Sequence, residues 1–141
     1  MKQLLEQMAD RRSSYGGGSA AALSCALAAA LVEKLARQPS RVEGGQAGRT
    51  GSAATARRLR ACCTRLIEAD AKAFAAVVRA GARQDRNALR QALRVATEIP
   101  CQVGECAQQV LLIARRIRAR VSPNYRVDLD CAQALATAAK Q

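Results

Sequence analysis

The sequence predicts an all-α helical bundle of five or six helices around a central alanine-rich helix. Three observations carry that expectation. Over long stretches apolar residues recur every three or four positions, the spacing that gathers them on one helical face. The β-branched alternation that marks strands is missing throughout. Glycine, proline and short polar clusters separate the helical runs. A length of 141 residues fits one domain spanning 1–141, with enough chain to bury a core.

Residues 1–11 read as a short amphipathic helix with Leu4, Leu5 and Met8 on one side. Residues 12–15 link it to the central helix, expected at 19–37. There Leu23, Leu27 and Leu31 step by four, and the remaining faces are mostly alanine with Ser24 and Cys25. A helix apolar all round belongs in the middle of a bundle. Its entrance is Tyr15-Gly16-Gly17-Gly18-Ser19. First-turn amides lack helical partners and lie at the positive end of the dipole. Glycines leave those donors unshielded, so the entrance can receive an anionic or carbonyl group. It can equally be a turn into a core helix capped by Gly18 or Ser19.

Residues 38–51 hold Pro39, four glycines and few apolar side chains, and read as a loop. Thr50 or Ser52 is then expected to cap a long helix running to about Ala80 and ending near Gly81. On it Leu59, Cys63, Leu66, Phe74, Val77 and Gly81 form an apolar stripe, and Asp70 fills the gap in that stripe. Arg58, Arg65, Glu68, Lys72 and Arg79 make the solvated face. An inward carboxylate is costly unless paired or used. Asp70 is therefore either an ion-pair partner of an arginine from another helix or a proton-transfer group.

A turn at Gln84-Asp85 follows, with Asp85 placed to cap the next helix. Pro100 either kinks that helix or starts a new one reaching about Val121. If the helical phase survives Pro100, Glu98 and Glu105 share a side. Arg115, Arg116, Arg118 and Arg120 gather at the helix end, where cations suit the dipole. After the turn at 122–125, Asp128 opens the last helix. It serves there as an ordinary N-terminal cap or as a ligand contact placed by the Asn124 turn.

The formal net charge is +12, from 23 Lys+Arg against 11 Asp+Glu, which suits anionic partners. Nucleic acid is possible but not favoured, since the only aromatics are Tyr15, Phe74 and Tyr125. The six cysteines form no CxxC and there is no histidine, so they read as small core residues of a reducing cytoplasm that hold no metal. Without histidine, acid–base chemistry falls to carboxylates, Lys, Tyr, Cys or water. No signal peptide and no apolar run long enough to span a bilayer is expected, hence no membrane partner and a cytoplasmic location.

Four segments carry a resemblance. GGGSAAALSCALAAALVEKLA is similar to the glycine-rich first core helix of the formiminotransferase-cyclodeaminase C-terminal domain, a family that includes methenyltetrahydrofolate cyclohydrolases. Asp70-Ala71-Lys72-Ala73-Phe74 resembles its D-A-x-A-F segment. Ala96-Thr97-Glu98-Ile99-Pro100, with the aliphatic repeats after it, and Pro123-Asn124-Tyr125-Arg126-Val127-Asp128-Leu129 resemble two further segments in the right order. The resemblance implies a helical bundle, usually dimeric, acting on folate one-carbon units. Its substrates are 5-formimino- or 5,10-methenyltetrahydrofolate, and no cofactor is needed. Other members continue through further helix beyond the end of this chain. The resemblance places Asp70 and Asp128 near the chemistry, and Gly16, Gly17, Gly18, Ser19 and Asn124 at the substrate. The alternative is an inactive binding or assembly module of the same descent. The alanine-rich helix and the short chain leave apolar faces uncovered, so a homodimer or larger assembly is expected.

Overall fold

The computed structural model describes residues 1–38 and 46–140. Five α-helices account for most of them: α1 Lys2–Ala9, α2 Gly17–Ala36, α3 Gln46–Ala82, α4 Arg86–Ile117 and α5 Arg126–Lys140. Two 3₁₀ turns, Arg118–Arg120 and Pro123–Tyr125, join the last two helices, and no strand occurs among the described residues. The expected all-α bundle is what forms.

Helix α2 is the centre. It packs against α3, α4 and α5, while α1 buries no residue and touches the core through half-buried Leu4. The buried positions of α2 include Ala22, Cys25, Ala26, Ala28, Ala29, Val32 and Leu35 rather than the expected stripe of Leu23, Leu27 and Leu31. Side chains this small let neighbouring helices approach closely, and the larger residues are displaced to the rim. Leu23 and Leu31 are half-buried there, and Leu27 is 42% exposed. By length and composition alone α2 could cross a membrane, contrary to expectation. In the bundle more than half of that stretch is buried by its neighbours, and Glu33 lies within the helix.

Helix α3 begins at Gln46, so positions 50 and 52 lie inside it and not at its start. Residues 39–45 of the expected loop lie outside the described residues. Glycine in a helix interior costs about 1 kcal/mol each, which is why this segment reads as loop. Packing overrides that cost: Ala53 and Ala56 are buried in the core. At the other end Gln84 adopts φ 54° and turns the chain. Asp85 caps α4 as expected, its Oδ1 accepting from the amides of Asn87 and Ala88 at 3.0 Å each. Pro100 sits within one continuous α4. It is exposed, so water can serve the carbonyl that its missing N–H leaves free. Glu98 and Glu105 accordingly stay on the exposed side.

The two long helices outrun α2. It starts opposite Asp70, so residues 71–82 of α3 and the facing part of α4 project beyond it as a two-helix arm. That explains a correction to the expected core stripe: Phe74 is 52% exposed and Val77 only half-buried, because no α2 remains to cover them. Val78, Leu93 and Val95 of the same arm are exposed too.

The cysteines divide. Cys25, Cys63 and Cys106 are buried and Cys62 half-buried, as core residues should be, but Cys101 and Cys131 are exposed. All six are free thiols. The Cys63–Cys106 hydrogen bond and burial push the Cys106 thiol far up. For Cys63 the Cys106 contact lowers the value, but the Cys25 bond and burial outweigh it, to about 12. Both stay protonated near neutrality and are poor nucleophiles. Among the described residues no three His, Cys, Asp or Glu side chains converge as a metal ion would require.

Candidate active site

At the entrance of α2, Gly16 is the N-cap in extended conformation and its carbonyl takes the first helical bond from the amide of Ala20 at 2.9 Å. No side chain caps this end. The amides of Gly17, Gly18 and Ser19 have no acceptor among the described residues. Gly16 and Gly17 are exposed and have open space around them.

Asp70 comes to this entrance from α3. Its Oδ2 lies 2.8 Å from Ser19 Oγ, which also lies 3.1 Å from the carbonyl oxygen of Ile67. Asp70 is half-buried and Ser19 fully buried. Gly18 provides the room. A Cβ there would stand 2.6 Å from Asp70 Cγ and 2.8 Å from Oδ2, too close to be accommodated without moving the carboxylate. Here glycine is required by a neighbour and not by its own dihedral angles. Asp70 makes no ion pair among the described residues, so the expected alternative of an arginine partner does not arise there. The nearest charged neighbours on α3, Glu68 and Lys72, pair with each other at 3.3 Å on the exposed side.

Asp128 lies elsewhere. In the first turn of α5 it binds Lys34 Nζ at 2.6 Å, near the far end of α2. From Ser19 to Lys34 the helix runs about 22 Å at 1.5 Å per residue. Within one chain the two carboxylates therefore do not share a site. Asn124 is exposed in the Pro123–Tyr125 turn at that same far end. The structure thus gathers Gly16, Gly17, Gly18, Ser19 and Asp70 and separates Asp128 and Asn124 from them.

One residue beside the site was hidden in the sequence reading. Phe74 is one turn beyond Asp70 on α3, and an (i, i+4) pair shares a helix face. Its exposed ring therefore offers a flat apolar surface next to the carboxylate. The spacing within Asp70-Ala71-Lys72-Ala73-Phe74 contained that signal. What it lacked was the knowledge that α2 stops short of residue 74.

A bundle whose central helix opens on bare glycines, against a carboxylate with no cationic partner among the described residues, defines a class of helical proteins with a polar site at a helix end. A sequence model described as formiminotransferase-cyclodeaminase matches residues 1–141. The chain belongs to the formiminotransferase-cyclodeaminase family. It is similar in fold to the crystal structure of formiminotetrahydrofolate cyclodeaminase from Thermotoga maritima, with a TM-score of 0.87 at 22% identity. That match covers 99% of this chain and 74% of the other. Comparison with curated protein sequences gives no match. The fold is thus that of a folate-related cyclodeaminase.

Proposed function

We propose that this chain is a folate one-carbon enzyme acting on 5-formimino- or 5,10-methenyltetrahydrofolate, with Asp70 as its acid–base group. The observation that carries the reading is the state of Asp70: half-buried, held by a neutral hydroxyl, paired with no cation among the described residues, and set at a glycine-opened helix entrance. A carboxylate neutralised by arginine is a weak base; this one is available for proton transfer. Family membership supplies the substrate class.

The chemistry fits one carboxylate. In cyclodeamination N10 of the folate attacks the carbon of the protonated formimino group, whose nitrogen becomes an amino group. Asp70 takes the N10 proton and delivers it to the departing nitrogen, which leaves as ammonia. In hydrolysis Asp70 takes a proton from water as its oxygen bonds to the methenyl carbon. The bond from that carbon to N5 then breaks as N5 is protonated, and one proton is released overall. The free amides of Gly17, Gly18 and Ser19 stabilise negative charge or a carbonyl of the substrate. Phe74 offers its ring face to a flat part of the substrate. Asp128 and Asn124 remain outside the reacting centre, Asp128 tying α5 to α2 through Lys34.

The test is the absorbance of methenyltetrahydrofolate, and ammonia release from the formimino form, with wild-type protein and Asp70→Asn. Wild-type turnover is expected, with a loss of roughly 10²–10⁴-fold in the variant and a nearly unchanged melting temperature. A wild-type protein that turns over neither compound would leave the binding-module reading instead.

A further inference from the structure

Ser19 Oγ sits between two oxygens, and both contacts need a hydrogen. The carbonyl oxygen of Ile67 is 3.1 Å away and Oδ2 of Asp70 is 2.8 Å away. A hydroxyl carries one hydrogen and two lone pairs. It cannot donate to a carbonyl and an ionised carboxylate together. While Asp70 is ionised, the hydrogen goes to Oδ2, because a bond to a charged acceptor is the stronger. When Oδ1 takes up a proton, Oδ2 becomes the carbonyl oxygen of the acid and still accepts the Ser19 hydrogen. The bond from Ser19 to Oδ2 is then kept in each protonation state, and no heavy atom moves.

The surroundings leave Ser19 nothing else to do. Its side chain is fully buried, which takes it away from a substrate arriving at the exposed glycines. The other carboxylate oxygen, Oδ1, has no hydrogen-bond partner among the described residues and faces the bare Cα of Gly18. One oxygen of Asp70 is anchored and the other is open.

Resting on the acid–base role of Asp70 given above, we infer that the Ser19 side chain is a positioning group for that carboxylate and not itself a substrate contact. Its hydroxyl donates to Oδ2 whether or not Oδ1 carries a proton, and so holds Oδ1 toward the reacting atoms throughout. The transferred proton comes from N10 or water and goes to the leaving nitrogen. Ser19 keeps its own hydrogen throughout the cycle.

Ser19→Ala, Ser19→Cys, Asp70→Asn and the Ser19→Ala/Asp70→Asn double variant test this by steady-state kinetics and thermal melts. Ser19→Ala is expected to lower kcat by about 10–100-fold and leave KM within about twofold, since an interaction confined to the transition state acts on kcat. Ser19→Cys, close in size and a weaker donor, should fall between wild type and Ser19→Ala; it also serves if Ser19→Ala does not fold. In the Asp70→Asn background Ser19→Ala should cost nothing further, because residues acting through one group are not additive. The same loss in both backgrounds, a raised KM at unchanged kcat, or wild-type kinetics in both Ser19 variants would overturn the inference while leaving the proposed activity intact. Absence of turnover in the wild-type protein would instead remove the activity and this role together.

Discussion

The two ends of α2 treat carboxylates in opposite ways. At the far end every one is paired. Glu33, with its side chain 7% exposed, binds Arg60 Nε at 2.8 Å and the Arg37 guanidinium one turn on. Asp128 binds Lys34, whose ammonium also lies 5.8 Å from the Tyr125 ring centroid. At the entrance Asp70 has a hydroxyl, a glycine and free amides around it, and no cation. An ion pair fixes the charged state and ties helices together. A neutral hydrogen bond leaves the proton free to come and go. In a chain with formal net charge +12 cations are plentiful, so their absence at Asp70 among the described residues is a local property of the fold.

If that contrast is right, disturbing each end should move a different observable. The largest effect should come from Gly18→Ala. The new methyl forces the Asp70 carboxylate off Ser19, losing a hydrogen bond of about 1 kcal/mol. Replacing glycine by alanine in a helix returns about 0.4–1 kcal/mol, so the melting temperature should barely change. Turnover should nevertheless fall at least about tenfold, in the range of removing a positioned acid–base group. Gly104→Ala is the matched control, a helical glycine with nothing within 4 Å, and should keep full activity. Equal activities for the two variants would break the comparison.

Glu33→Gln should do the reverse. It removes the charge that Arg37 and Arg60 share, and those side chains are 60% and 42% exposed, so they can rehydrate. The cost is then about 1.5–3 kcal/mol, that of hydrogen bonds to a charged group, and less than for a sealed pair. Urea titration should show this loss while the folded protein keeps its specific activity.

The smallest effect belongs to the Lys34–Asp128 pair at the surface. Its hydrogen bond and the charge of Asp128 raise the Lys34 value above 10.5. A raised value in the folded state means stability that is complete below pH 10.5 and lost as pH rises through the folded value. Melts of wild type and Asp128→Asn should therefore differ slightly at pH 9 and converge above that value. The buried thiols titrate in both proteins and cancel in the difference. A gap that widens with pH would show that the pair does not set it.

Much of the helix order follows from patterns within single segments. The period of the apolar residues marks all five helices, and Asp85 marks the start of α4 through its own neighbours. Asp70 stands out because a carboxylate occupies an apolar stripe, which is local information too. Where the readings failed, a second element decided. Phe74 and Asp70 belong to the same stripe, yet one is exposed and the other held, because α2 ends between them. Pro100 stays within a helix because its side faces water, and residues 46–51 are helical although their glycines disfavour it.

By itself, then, the sequence determined the all-α class, the placement of most helices and Asp70 as a carboxylate out of keeping with its face. The tertiary structure alone decided which carboxylates meet cations, that Ser19 binds Asp70 across 51 positions of sequence, and that Asp128 lies about 22 Å along α2 from that site, at 1.5 Å per residue. Periodicity and capping depend on residues within a turn or two of one another, so they can be read along the chain. The distances between side chains on different helices depend on how closely α2's alanines let α3, α4 and α5 approach, and on where each helix stops.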